Sequence, residues 1–219
     1  MAAAAPTIRP YRPGDDAALM RVCVETGAAG KDATGLLAEP DLLSHVFLLP
    51  YLALEPELAS VVAVGDEPPV GYVLGALDSR VFEAATEAQV WPALRDRYPL
   101  DAYPSDSLDA LLVHLVHHPI VATDELVAEY PSHLHIDLLP PVQRGGHGRR
   151  LIDRLLGQLT ERGSTGVHLG TSEENTNAIA FYRHLGFDSS HTVAWGIARA
   201  SSCTSSTRAR RRRVAMRAR

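Results

Sequence analysis

The stretch from Leu134 to Gly148 constrains this chain more than any other part of it. Leu134 to Leu139 is a short, almost wholly apolar run stopped by Pro140-Pro141, the pattern of a strand buried inside a sheet. Gly145, Gly146 and Gly148 come next, followed by Leu151, Ile152, Leu155, Leu156 and Leu159 at helical spacing, with Gly163 as the stop. A strand that enters a helix through a glycine-rich loop leaves main-chain N–H groups bare at the positive end of the helix dipole. Such an assembly suits a pyrophosphate, and Arg144, Arg149 and Arg150 add positive charge. It is not the triphosphatase loop, because Gly148 is followed by Arg149 rather than Lys-Ser/Thr. Nor is it the dinucleotide fingerprint, because Leu151 stands where a third glycine is needed.

The remaining pattern supplies the neighbours of this unit. Thr7 to Tyr11 reads as a strand, and Asp15 or Asp16 can cap a helix over Ala17 to Thr26. A second helix starts at Asp41 and is expected to close at Pro50. Leu58 to Val64 and Val70 to Leu77, joined through Gly65-Asp66-Glu67-Pro68-Pro69, predict a hairpin. Val81 to Tyr98 has helical spacing with a break at Pro92, and Leu108 to Val116 presents one apolar helix face. Val167 to Leu169 is the next strand and Asn175 to Leu185 the next helix, stopped by Gly186. This order predicts a mixed α/β sheet with one right-handed parallel crossover.

Charge divides the chain. Arg199 to Arg219 carries eight arginines and no acid, whereas residues 1–198 hold 13 basic and 26 acidic side chains. The acidic body argues against nucleic-acid contact and leaves only the basic segment for it. That segment, rich in serine before its arginine block, is expected to lie outside the fold as a disordered tail over 199–219. The expected organisation is therefore a disordered start over 1–6, one domain over 7–198, and the tail. Cys23 and Cys203 are too few for a disulfide framework or a four-cysteine zinc site. No apolar run nears the ~20 residues of a membrane span, and Met1 to Pro6 lacks the features of a signal peptide. A cytoplasmic protein without membrane contact is expected.

Gln143, Gly146 and Gly148 spell Gln-x-x-Gly-x-Gly, and Asn175 to Phe187 spells Asn-x-x-Ala-x-x-x-Tyr-x-x-Leu-Gly-Phe. In these two motifs, in this order and with a strand between them, the chain resembles the GNAT superfamily of acyl-CoA N-acetyltransferases. Gly71 to Asp78, Phe82, Trp91-Pro92 and Tyr98-Pro99 are similar to the acetyltransferase-like C-terminal domain of the O-GlcNAcases, as are Pro40 to Leu43 and Pro50 to Leu54. The likeness covers roughly Thr7 to Asp188; the arginine-rich segment departs from it. It implies a mixed, mostly antiparallel central sheet with a splayed parallel strand pair, flanked by helices. It also implies acetyl-CoA as co-substrate, with no metal. The backbone of Leu138 and Leu139 would hold the acetyl-pantetheine arm. Gln143, Arg144, Gly145, Gly146, His147, Gly148 and Arg149 would hold the pyrophosphate, and Asn175 would contact the arm. Tyr182 would protonate the leaving thiolate, as a phenol that keeps its proton at neutral pH can.

The base is open. Where many relatives carry a glutamate this chain has Ser132, which cannot take up an amine proton unaided. His133, His135 and Asp137 alternate onto one strand face and are the substitutes, His135 and Asp137 being the candidates for catalysis. They could equally be satisfied polar residues, or the amine could arrive neutral and need no base. Asp32, Tyr51, Asp78 and His133 are candidate acceptor-site residues, and the acidic body favours a small cationic amine. His114, His117 and His118 have a ligand-compatible helical spacing but lack a partner set, so a solvated polar face is expected there instead of a metal site. Three readings stand beside the small-molecule acetyltransferase: a silent acyl-CoA-binding domain, an interaction domain, and a protein or histone lysine acetyltransferase. Whether two copies pair is not decided by the sequence.

Overall fold

The computed structural model describes residues 5–194 and 212–218. Its centre is a seven-stranded sheet in the order β1-β2-β3-β4-β5-β7-β6. The strands are β1 (Pro6–Pro10), β2 (Ser60–Val64), β3 (Gly71–Ala76), β4 (Ser132–Leu138), β5 (Val167–Ser172), β6 (Asp188–Ala194) and β7 (Arg212–Ala218). Every neighbouring pair is antiparallel except β4 and β5, which run parallel. That parallel ladder has only two rungs, Ser132 with Val167 and His133 with His168, and then the strands part. The mixed sheet with a splayed parallel pair is the expected architecture.

The helices among the described residues fall into two groups. α1 (Asp16–Thr26), α2 (Leu42–Phe47), α3 (Leu49–Leu54), α4 (Ser79–Gln89), α5 (Trp91–Arg97) and α6 (Leu108–His117) pack with one sheet face around Leu19, Val22, Tyr72 and Leu74. A short α7 (Asp124–Glu129), capped by the Thr123 hydroxyl on Leu126 N–H, precedes β4. α8 (His147–Glu161) covers the other face, packing Leu151, Ile152, Leu155 and Leu159 against Val62, Val73, Leu134 and Val167. Each such side chain, taken fully out of water, contributes about 1.5–3 kcal/mol of burial free energy. α9 (Thr176–His184) follows β5. No helix among the described residues is long and apolar enough to cross a membrane.

Several local expectations change. Asp15 stands at the N-cap of α1, but its carboxylate makes a two-pronged ion pair with Arg9 at 2.7 and 2.8 Å and accepts from Arg12 N–H, so it caps nothing. Pro50 opens a helix rather than closing one, since the chain breaks at Leu48 and Pro50 occupies the first turn of α3. There its missing N–H is no loss. Pro6 already belongs to β1, where it lies opposite Val64, so the expected disordered start does not extend to it.

The larger difference concerns the basic segment. Arg212–Ala218 is a strand between β5 and β6, with Met216 fully buried in the α8-side core. Its sequence alternates, Val214, Met216 and Ala218 against Arg213, Ala215 and Arg217, the period of a strand. The arginine count hides that alternation. Residues 199–211, the rest of the expected tail, lie outside the described residues.

Candidate active site

The site begins with the parting of β4 from β5. Along a strand, successive residues aim their N–H and C=O groups at opposite edges. Ser132 N–H bonds to Gly166 O on the β5 side, and Leu139 N–H bonds to Val70 O on the β3 side. Even-numbered residues of β4 therefore address β5. Past the His133–His168 rung no strand among the described residues answers them, so the amides of Ile136 and Leu138 open into a wedge. This corrects the expected backbone pair. Leu139 is committed, its N–H to Val70 and its C=O to Val142 N–H, whereas Ile136 joins Leu138. Two-residue alternation is the signal that could have found Ile136.

At the mouth of the wedge, Pro140–Val142 form a 3-10 turn and Gln143 reaches back, its amide donating to Leu138 O at 2.7 Å. Gln143 thus braces the strand end with one end of its side chain. Arg144 and Gly146 both take left-handed backbone conformations (φ 62° and 76°), which turn the chain sharply into α8. The first α8 amide with a backbone partner is that of Arg150, on Gly146 O. The preceding N–H groups face outward at the positive end of a 15-residue helix. Gln143, Arg144, Gly145, Gly146, Arg149 and Arg150 are exposed around them. His147 is not presented with them. Its ring is buried and its Nδ1–H donates to Val142 O at 3.2 Å, so only its backbone can serve a ligand.

Gly148 is where the loop, β4 and α9 meet. A Cβ there would stand 2.9 Å from the Phe181 ring and 3.3 Å from the Leu138 side chain. Glycine lets the helix start come this close to the wedge. Bare amides on β4, a glycine-built helix start and three exposed arginines fit an extended thioester arm ending in a diphosphate. Asn175 is the α9 cap, its Oδ1 accepting from Ala178 N–H at 3.1 Å, and it lies against Gly30 of the loop after α1. Tyr182 is buried beside Phe181 and Phe187, and no hydrogen bond to its hydroxyl comes from the described residues. Burial, and then the Asp137 charge, raise its phenol further above its ordinary value, so it is protonated at neutral pH.

On the α1 side, β4 sets His133, His135 and Asp137 opposite Ala76, Leu74 and Tyr72 of β3. Asp137 accepts from the Tyr72 hydroxyl at 2.6 Å. Burial pushes its carboxyl up to about 6, against the opposing pull of hydrogen bonds from Tyr72 and Thr26. His133 and His135 stand edge-on to Tyr51, at 5.5 and 5.3 Å between ring centres, and Tyr51 stacks on Phe82 at 4.5 Å. Burial first, then His168 and His135, hold the His133 imidazole well below its ordinary value.

The expected residues therefore divide. Tyr51, His133, His135 and Asp137 come together. Asp78 does not offer its carboxylate to them, because Oδ1 caps α4 through the N–H groups of Arg80 and Val81 at 2.8 and 3.0 Å. Asp32 is exposed and closes its own turn onto Thr34 N–H and hydroxyl. Ser132 points to the other face, its hydroxyl at 2.5 Å from Leu77 O and 2.6 Å from Ser164 Oγ. His117 is tied by Nε2 to Tyr98 O, away from this site. A groove of about 600 Å³ runs between α1 and the β2–β3 hairpin past Arg21, Val64 and Glu67, and shares no lining residue with the wedge.

The model of the acetyltransferase (GNAT) family matches residues 38–187. Protein O-GlcNAcase of Rattus norvegicus is 26% identical over 185 residues, which are 82% of this chain and 20% of that protein. The chain thus spans about a fifth of the length of the curated relatives it matches. The crystal structure of SsHAT superposes with a TM-score of 0.82 at 39% identity, covering 98% of both chains. yncA of Salmonella typhimurium, solved with its cofactor acetyl-CoA, shares the fold at 15% identity and a TM-score of 0.54, over 98% of this chain and 93% of that one.

Proposed function

The chain belongs to the acetyltransferase (GNAT) family, and on that premise we propose that it moves an acetyl group from acetyl-CoA to a primary amine of a small molecule. The observation that carries this reading is the wedge, with its unanswered amides at Ile136 and Leu138 and the bare start of α8 at its mouth. Acetyl-CoA supplies the activated acetyl thioester. Backbone N–H groups of β4 hold the arm and polarise its carbonyl, and the Gln143–Arg149 loop holds the diphosphate. Asn175 borders the arm from the start of α9. Tyr182 donates its proton to sulfur as the carbon–sulfur bond breaks. The amine arrives on the face that carries Tyr51, His133, His135 and Asp137, where an ionised Asp137 attracts an ammonium group. The buried free thiol of Cys23 suits a reducing compartment and supports a cytoplasmic setting.

Calorimetric titration with acetyl-CoA tests the first half, and heat saturating near one equivalent per chain is expected. Free-thiol release with a panel of amines tests the second, and Tyr182→Phe should lower turnover by about a hundredfold. Saturable binding without thiol release from any amine would leave an acyl-CoA-binding domain in place of the enzyme.

A further inference from the structure

His133 lies at the apex of the wedge, the last β4 residue paired to β5. Next to it is Ser79, the first residue of α4 and buried, which the sequence patterns did not single out. The Ser79 hydroxyl is 2.7 Å from Pro131 O and 2.8 Å from His133 Nδ1. A hydroxyl has one proton to give, and a carbonyl oxygen can only accept. Ser79 therefore donates to Pro131, and the second contact is a bond from His133 Nδ1–H to Ser79 Oγ. This fixes the tautomer. Nδ1 carries the proton, and Nε2 keeps a bare lone pair to which no hydrogen bond comes from the described residues.

The ring cannot easily turn away. Phe82 and Tyr51 meet it edge-on at 5.1 and 5.5 Å, and His168 lies at 5.7 Å. The titratable groups around it are His135 on the same strand, His168 on β5 and Tyr51 on α3. Its neighbours on the strand are differently placed. Asp137 already receives the Tyr72 hydroxyl, and His135 packs against Phe47 and Tyr51.

The geometry points to His133 as the base of the reaction and Ser79 as its positioning residue. This rests on the acetyl-transfer reading. An N–H bond of the ammonium breaks, its electron pair stays on nitrogen, and His133 Nε2 takes the proton. The freed pair then forms the bond to the carbonyl carbon, the carbon–sulfur pair leaves with sulfur, Tyr182 protonates the thiolate, and the acylated nitrogen gives its second proton to the Tyr182 phenolate, leaving the neutral amide and the free thiol. Throughout, the Nδ1–H bond to Ser79 is kept, so the imidazolium forms without rotation.

Long-range nitrogen NMR of the histidines in the full ligand-free chain reads the tautomer directly. Neutral His133 with its proton on Nδ1 is expected, and Ser79→Ala should shift it toward a mixture while leaving the acetyl-CoA titration unchanged. In thiol-release assays across pH, His133→Gln should lower kcat/KM by at least about a hundredfold, and Ser79→Ala by about tenfold with a displaced acidic limb. A wild-type His133 protonated on Nε2 overturns the positioning role, and a pH profile that His133→Gln leaves unmoved overturns the base. Absence of acetyl-CoA binding removes the transfer reading and the base with it, while the tautomer measurement still decides the Ser79–His133 bond.

Discussion

Leu134, Ile136 and Leu138 turn one face of β4 to the aliphatic core under α8, while His133, His135 and Asp137 turn the other to Tyr72, Tyr51 and Phe82. Both faces are largely shielded from water, yet the first is mainly aliphatic and the second mainly polar. On the α8 side, Leu134, Leu155 and Val73 meet as hydrocarbon, and Ser132 is the one β4 side chain there that needs a hydrogen-bond partner. On the α1 side two of the polar groups are kept tolerable by a named neighbour, Ser79 for His133 and Tyr72 for Asp137. A buried polar group costs free energy that a single bond only partly offsets. One strand thus anchors the sheet with its even residues and carries the chemistry with its odd ones.

The sharpest way to break this division is to cut on the anchoring side. Leu155 is fully buried against the sheet, and Leu155→Ala should cost about 3 kcal/mol in urea unfolding while the folded fraction still binds acetyl-CoA. His135→Ala, across the strand, should cost well under half of that; equal losses would end the distinction.

A carboxylate in place of hydrocarbon gives the next effect. Burial raises the Asp137 carboxyl from 3.8 to about 6, so between those values the native state holds more protons than the unfolded chain. Stability then falls as pH rises through that window, and above it the full penalty, about 3 kcal/mol, is present. Asp137→Asn should therefore raise the melting temperature at pH 8, change it little near pH 3.5, and lower turnover. A variant less stable than the wild type at pH 8 would show that the charge is compensated.

The smallest effect is expected at the one polar residue of the anchoring face. Ser132→Ala removes bonds to Leu77 O and Ser164, and should cost about 1 kcal/mol. Amine acetylation should not change, because this hydroxyl faces away from the acceptor side; a large loss of turnover would put Ser132 back in the reaction.

Most of the fold was legible because its signals are periodic. The Leu151 to Leu159 stripe, the β2–β3 hairpin and the strand–glycine–helix unit all repeat at the spacing of the element they form. The parity of β4 was legible too, and it brought His133, His135 and Asp137 together. What escaped depends on partners distant in sequence. Asp78 looks like a binding carboxylate until its own helix claims it, and Asp15 looks like a cap until Arg9 does. Ser79 is one small hydroxyl that matters only because Pro131 and His133 come to it from 52 and 54 residues away. Met216 was hidden by composition, since an arginine block draws attention to charge and away from alternation.

β7 lies between β5 and β6 although it follows both in the sequence. While the chain is being made, β5 and β6 therefore leave the ribosome with a gap between them that only residues 212–218 can fill. Until those residues emerge, each strand keeps an unfilled rim able to recruit another nascent copy. The sheet is thus complete only once residues 212–218 have paired, and a chain in which they have not yet done so carries its most adhesive edges at β5 and β6.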